Sequence, residues 1–256
     1  MTMPPVFVIN LDKSPERMAK ITKRLNELEI PFERISGVYG ASLTEQELEL
    51  AYDPVLNLKT YRRALPCGEI GCYMSHKKVW KTIVEKKYNC ALVLEDDITI
   101  NADIKLLLGK LINSTKSFDI VKFYCPKSNP KIVASEPIGP NHMLCRFRKV
   151  PSGNQGQLIT YDGAKKLLAT YQKFGRPVDV DIQHWWESGV NVLGVLPSVI
   201  KPIENAISDI DSQKTRKNKT TIIGGIRNLV LRTHYELNLR LRLQTQPIPK
   251  LSNKKL

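Results

Sequence analysis

Cysteine is scarce in this chain, and what there is does not pair. The five cysteines, at positions 67, 72, 90, 125 and 145, are odd in number and include no C-x-x-C spacing. That pattern disfavours a zinc–thiolate centre and a disulfide framework, and favours reduced, mostly buried thiols. Long apolar runs are also missing: none approaches the roughly 18–20 residues that cross a bilayer. Met1-Thr2-Met3-Pro4-Pro5 has no basic n-region and leads straight into Val6-Phe7-Val8-Ile9. No secretory signal is read there, and the expected compartment is the cytoplasm. Zinc-finger spacings, RNP-type aromatic motifs, basic heptads and internal repeats are absent as well. Acidic residues are nearly missing from one region only. From Gln213 onward eleven Lys/Arg face a single acid, Glu236, so +10 of the +14 net charge sits in the tail.

What is present fits a soluble globular chain: 256 residues, 42% hydrophobic and 25% charged, enough for one α/β domain with an appendage. The centre of the pattern is Ala91-Leu92-Val93-Leu94-Glu95-Asp96-Asp97-Ile98. A short apolar run that stops abruptly reads as a buried central strand of an α/β sheet. Ligands of such sheets bind beyond the carboxyl ends of the strands, where these three carboxylates fall. Adjacent carboxylates repel unless water or a cation compensates them. Hard divalent cations take oxygen ligands, one or two carboxylates together with substrate phosphates. The triplet is thus a metal–diphosphate site or an acidic turn.

Around it, Val6 to Leu11 reads as a strand. Ser14-Pro15-Glu16-Arg17 opens a helix, a junction that suits a phosphate. Phe32 to Ile35 is a second strand. Thr44 to Glu47 has capping-box spacing, and residues 53–66 read as an irregular loop. Gly68 to His76 leads into a helix ending near Lys87. Ile104 to Ile112 reads as helix, Phe118 to Tyr124 as strand, and residues 125–151 as a long loop or irregular hairpins. Leu158 to Thr160, the helix from Gly163, and the strand Val192 to Leu196 follow. In the tail, Ile222 to Val230 suits a helix. Leu237, Leu239, Leu241 and Leu243 alternate with polar residues as a strand would, and the conflict stays open.

In order along the chain, Val8 to Arg17, then Gly68-Glu69-Ile70-Gly71-Cys72 with Ser75-His76, then Leu92 to Asp97 resemble three blocks of glycosyltransferase family 25, the lipooligosaccharide galactosyltransferases of Gram-negative bacteria. Gly163-Ala164, Leu167-Leu168, Pro177-Val178-Asp179 and Trp185 fit its later blocks. The resemblance covers residues 6 to 210. It implies a GT-A-like, Rossmann-like nucleotide-sugar-binding α/β fold: a mixed sheet flanked by helices. It also implies inverting transfer of a hexose, usually galactose, from UDP-galactose or UDP-glucose to a lipooligosaccharide core, with a divalent cation, Mn²⁺ before Mg²⁺. By the same resemblance Glu95 and Asp97 form an E-x-D acidic pair that holds the metal, and Glu95 with the intervening Asp96 also binds the donor. Asn10, Arg17 and Glu69 match recurrent positions assigned to donor binding.

The chemistry of the transfer asks for the same groups. A diphosphate leaving group needs its charge neutralised, and inversion needs a base for the acceptor hydroxyl. Asp179 and Asp181, ahead of the aromatic pair Trp185-Trp186, are the candidate bases, or else helix-opening acids. His184 is a candidate late metal ligand, or else a packed histidine. Arg17 suits bidentate phosphate contact, or a solvated first turn. The expected organisation is a catalytic domain over 1–211 and a basic, partly apolar extension over 212–256. Such an extension suits an anionic lipid surface, at about 1 kcal/mol per charge. The enzyme is then peripheral on the inner face of the cytoplasmic membrane, with a lipid-linked acceptor. The competing class is a nucleic-acid-binding protein or metal-dependent nuclease that uses the basic surface.

Overall fold

The computed structural model describes residues 3–114, 117–127, 130–203 and 222–245. Its centre is the strand Cys90–Glu95. Counting in chain order, the first elements are β1 (Val6–Asn10), α1 (Pro15–Glu27), β2 (Glu33–Ser36), α2 (Glu45–Ala51), α3 (Pro54–Thr60), α4 (Cys67–Glu85) and β3 (Cys90–Glu95). Then come β4 (Ile98–Ile100), α5 (Ile104–Ile112), β5 (Ile120–Lys122), β6 (Ile132–Gly139), β7 (His142–Phe147), β8 (Gly156–Thr160) and α6 (Tyr161–Thr170). The chain continues through α7 (Val178–Gln183), α8 (Trp185–Ser188), β9 (Val192–Leu196), β10 (Ile200–Pro202) and α9 (Ile222–Thr245).

Ala91 to Leu94 are buried on both faces because alternate side chains enter two different cores. Leu92 and Leu94 pack with Val6, Val8, Ile21, Leu25 and Leu107 on the side of α1 and α5. Ala91 and Val93 pack with Phe7, Trp80, Ile83 and Leu167 on the side of α4 and α6. The expected α/β architecture is the observed one: an eight-stranded mixed sheet, β2-β1-β3-β8-β5-β9-β7-β6, flanked by helices. β1 pairs parallel to β2 and β3, and β5 parallel to β9. β8 runs antiparallel between β3 and β5. Asn10, Glu95 and Lys122 therefore end their strands at one edge, where β8 begins.

Two close backbone approaches set α4 against that edge. A Cβ on Gly40 would lie 1.7 Å from the carbonyl oxygen of Cys67, and one on Gly71 2.4 Å from that of Val38. No side chain fits either position, so the first turn of α4 can press against the loop after β2.

One expectation changes, and two open alternatives are decided. Residues 53–66 contain a helix, α3, because Asp53 Oδ1 accepts from the N–H groups of Val55 and Leu56 at 2.8 and 2.9 Å with Pro54 in the first turn. Residues 125–151 hold the β6–β7 hairpin, which extends the sheet through β9. The open question of the tail resolves as helix. Positions two apart lie about 200° apart on a helix, so the alternating leucines divide between opposite sides. Leu239 is buried and Leu243 packs on the core, while Leu237 and Leu241 are exposed. The expected boundary between residues 211 and 212 lies outside the described residues, as do tail lysines 214, 217, 219, 250, 254 and 255 and Arg216.

Candidate active site

An open cleft of about 200 Å³ lies at the strand-end edge, lined by Glu69, Cys72, Glu95, residues 153–155 and Pro177 to Asp179. The sheet brings Glu95 there at the end of β3. The antiparallel β8 brings Asn154 and Gln155 just before its first residue, and α7 contributes Asp179 in its first turn.

The carboxylates of the triplet have different surroundings. Asp96 is buried and turned toward β1. Its Oδ2 accepts from Asn10 Nδ2 at 2.6 Å, and Arg17 Nη1 stands 3.6 Å from its Oδ1. Asn10 is itself fully used, donating to the Ser14 carbonyl at 2.9 Å and accepting from Arg34 Nε at 2.9 Å. Arg34 also pairs with Asp12. Asn10, Arg17 and Asp96 thus come together as one network that ties β1, α1 and the triplet. Glu95 is half-buried, with its Oε1 3.4 Å from His76 Nε2. Asp97 buries Oδ1 with no hydrogen-bond partner among the described residues. Burial, then repulsion from Glu95 and Asp96, pushes its carboxyl up to about 6. A buried carboxylate oxygen without a donor, beside a second carboxylate at a cleft, is a donor set that fits a hard divalent cation.

Glu69 lines the cleft while Arg63 clasps its carboxylate at 2.7 and 2.8 Å. Asp179 and Asp181 separate. Asp179 faces the cleft, and its Oδ2 accepts from the Gly153 N–H at 3.0 Å. Asp181 is 2% exposed and accepts from Tyr73 Oη at 2.8 Å and Arg176 Nε at 2.5 Å, while Arg176 also pairs with Glu187. Burial raises Asp181 to about 6 against the pull of Arg176 and Tyr73. That carboxylate holds α7 in place and has no open side toward a ligand. His184 is not brought to the triplet's network. Its Nδ1 faces the Val180 carbonyl at 2.8 Å, and its ring packs on Trp186 and on Tyr235 of α9 at 5.1 and 4.8 Å. Burial pulls its pKa down to about 4.

Several residues at or near the cleft escape sequence reasoning. Lys122 is 1% exposed and donates to the Pro151 carbonyl at 2.7 Å; burial lowers it to about 8 while Asp179 and Glu95 pull it back up. Asn154 Nδ2, Gln155 Oε1 and both amide atoms of Gln157 are buried without partners among the described residues. Their one sequence signal is Gly153-Asn154-Gln155-Gly156-Gln157, amides packed together where a buried strand begins. Buried polar groups normally have partners, so this concentration marks a place for polar ligand atoms.

The family model described as glycosyltransferase family 25 (LPS biosynthesis protein) matches residues 3–182. The chain belongs to glycosyltransferase family 25. Family 25 relatives include a Drosophila melanogaster family member, 30% identical over 175 residues, covering 66% of this chain and 28% of that protein. Human procollagen galactosyltransferase 2 is 28% identical over 186 residues, 69% of this chain and 29% of its own length. Danio rerio procollagen galactosyltransferase 1 is 24% identical over 243 residues, 85% and 40%. The family 25 chain therefore spans less than half of these relatives. Among solved structures, a Drosophila β1,4-galactosyltransferase 7 mutant with manganese, UDP-Gal and xylobiose aligns with a TM-score of 0.41 at 10% identity, covering 88% of this chain and 79% of that one. A197 from STIV aligns at 0.40 and 12%, covering 78% and 84%. Neither likeness carries a functional conclusion at those scores.

Proposed function

We propose that this chain is an inverting, metal-assisted hexosyltransferase that moves galactose from UDP-galactose to a saccharide acceptor of the lipooligosaccharide type. The observation that carries the reading is Glu95 at the cleft with Asp97 two residues on, its Oδ1 buried and unpartnered among the described residues. Family membership supports transferase chemistry, and the relatives' names support galactose.

Glu95 and Asp97 would hold the divalent cation, Mn²⁺ before Mg²⁺, which would neutralise charge developing on the departing UDP. Asp179 is the proposed base. It takes the acceptor hydroxyl proton as the acceptor oxygen bonds to the anomeric carbon and the bond from that carbon to UDP breaks on the opposite face. The Gly153 N–H fixes its carboxylate at 3.0 Å for that task. Asn10, Arg17 and Asp96 hold the triplet's backbone, and Glu69, clasped by Arg63, shapes the rim near the donor. The unpartnered amides of Asn154 and Gln155 offer hydrogen bonds to sugar hydroxyls.

For the lipid-linked acceptor, support comes from α9. Tyr235 and Leu239 bury its inner side, and Glu236 pairs with Arg148 at 2.8 Å. Ile226, Val230, Leu237 and Leu241 are exposed. On a 3.6-residue turn these four share one side, opposite Tyr235, with Arg227 and Arg240 flanking them. An apolar stripe between arginines, on a tail of charge +10, suits an anionic membrane surface. No described helix is long and apolar enough to cross a membrane.

The test is release of UDP from UDP-galactose and UDP-glucose, with Mn²⁺ and with EDTA, offered lipid-linked oligosaccharide or a collagen peptide. The reading expects metal-dependent turnover of UDP-galactose onto the saccharide. Metal-independent turnover, or transfer to the peptide alone, would overturn it.

A further inference from the structure

Cys72 and His76 lie four residues apart on α4, so they share one helix face. That face meets the end of β3. The ligating atoms of Cys72, His76 and Glu95 all lie within 4.8 Å of one another. Sulfur, imidazole nitrogen and carboxylate oxygen form the mixed donor set of zinc sites, unlike the all-oxygen set that suits Mg²⁺ or Mn²⁺. The spacing agrees. His76 Nε2 and Glu95 Oε1 are 3.4 Å apart, long for a charged hydrogen bond. It is close to the edge of a zinc tetrahedron, roughly 3.3 Å when the ligand bonds are about 2.0–2.1 Å.

His76 is 1% exposed, and its Nδ1 has no partner among the described residues. Among the described residues the long approach to Glu95 is its polar contact, and a cation between Nε2 and that carboxylate would bind both. Cys72 and Glu95 both line the cleft, which leaves a fourth coordination position facing the open space. The surroundings are electronegative. Burial, then Glu95, Asp179, Glu69 and Asp97, hold the Cys72 thiol well above its ordinary value, and the same carboxylates attract a divalent ion.

We infer that Cys72, His76 and Glu95 form a binding site for a thiophilic divalent cation, zinc by its donor set, beside the oxygen-ligated position at Glu95 and Asp97. Glu95 belongs to both sites, so zinc competes with the hard cation and inhibits turnover. That consequence rests on the proposed transfer reaction; zinc binding itself does not.

The test uses the metal-stripped full chain and Co²⁺ as a spectroscopic probe. One equivalent of Co²⁺ is expected to give a thiolate-to-cobalt charge-transfer band that one equivalent of Zn²⁺ displaces. Cys72→Ser loses the band and binds Zn²⁺ at least tenfold more weakly, while Asp97→Asn keeps both. Should Cys72→Ser not fold, alkylation of the native chain by iodoacetamide gives a second readout. Zn²⁺ slows labelling of Cys72 at least tenfold and leaves that of Cys67 unchanged. A missing band, a band that survives Cys72→Ser in a folded protein, or labelling of Cys72 indifferent to Zn²⁺ overturns the site. An intact band in a protein without UDP-sugar turnover overturns the transfer reading and leaves the zinc site standing.

Discussion

Asp96 and Asp97 are neighbours in sequence and opposites in circumstance. On the β1 side, Asp96 accepts from Asn10 at 2.6 Å with Arg17 3.6 Å away, inside a network that continues through Arg34 to Asp12. Asp97, next in the chain, buries an oxygen without a partner among the described residues and is pushed up to about 6. Two residues of one turn thus differ in whether their carboxylates are already partnered. A buried polar group with its partners in place holds the fold, whereas one held without them stores an interaction that a ligand can complete. The same division recurs between Asp181, gripped by Arg176 and Tyr73, and Asp179, open to the cleft. It recurs on α9, between the covered Tyr235 and Leu239 and the exposed Leu237 and Leu241.

The largest effect is expected at Asp179. Asp179→Asn keeps an oxygen for the Gly153 N–H but not a base, so hexose transfer should fall by about 10²–10⁴-fold with the urea midpoint nearly unchanged. A variant that loses stability and keeps its rate would place Asp179 with the structural group.

Asp181→Asn should do the reverse. It leaves the Arg176 charge buried with one partner fewer, a loss of about 3 kcal/mol or more in unfolding free energy. An unaltered urea midpoint would break the contrast.

His184 sharpens it through pH. Its pKa is about 4 in the folded chain against an ordinary 6.5. The unfolded chain therefore takes up the proton first as pH falls. The stability that neutral His184 contributes is whole above pH 6.5 and drains away between there and pH 4, about 2 kcal/mol of it by pH 5. Asp97 and Asp181, raised to about 6, act with the opposite sign in their window, favouring the fold at low pH. The difference between wild type and His184→Gln isolates the histidine. Parallel stability curves for the two proteins from pH 7.5 to 5 would contradict its burial as a neutral ring.

The smallest effect concerns the outer face of α9. Replacing Leu237 and Leu241 by serine should weaken partitioning onto anionic vesicles at least tenfold, about 1.4 kcal/mol, and leave turnover of a soluble acceptor unchanged. Equal binding to neutral vesicles, or no change in the variant, would detach α9 from lipid.

The sheet's middle was legible in advance because its strands are continuous apolar runs that end in charge, and few other structures explain Ala91 to Leu94 followed by three acids. Strand-end logic and family resemblance place Glu95, Asp96 and Asp97 beyond a buried strand, and the aromatic pair that follows makes Asp179 and Asp181 candidate bases alike. What sequence could not reveal is which carboxylates are spent. Asp181 lies two residues from Asp179 and has the same chemistry, but its partners Tyr73 and Arg176 come from a different helix and a loop. His184 offered a metal ligand by type, and only packing shows its ring against Trp186 and Tyr235. Lys122 reads as one polar residue inside the strand Phe118 to Tyr124 until the fold buries it within the field of Asp179 and Glu95. The alternating leucines of α9 imitate a strand because the helix is apolar on two opposite sides.

The central claim is that neighbouring acids at the end of β3 divide into structural and ligand-binding roles, and one paired measurement tests it most directly. Asp96→Asn and Asp97→Asn are compared by urea unfolding and by Mn²⁺-dependent UDP release from UDP-galactose. Asp96→Asn is expected to lower stability by about 1–3 kcal/mol and to keep measurable turnover when folded. Asp97→Asn is expected to lose about 10²-fold or more in turnover with no loss of stability, since it relieves repulsion. Two variants that lose stability and turnover together, or an Asp97→Asn that turns over like wild type, would contradict the account.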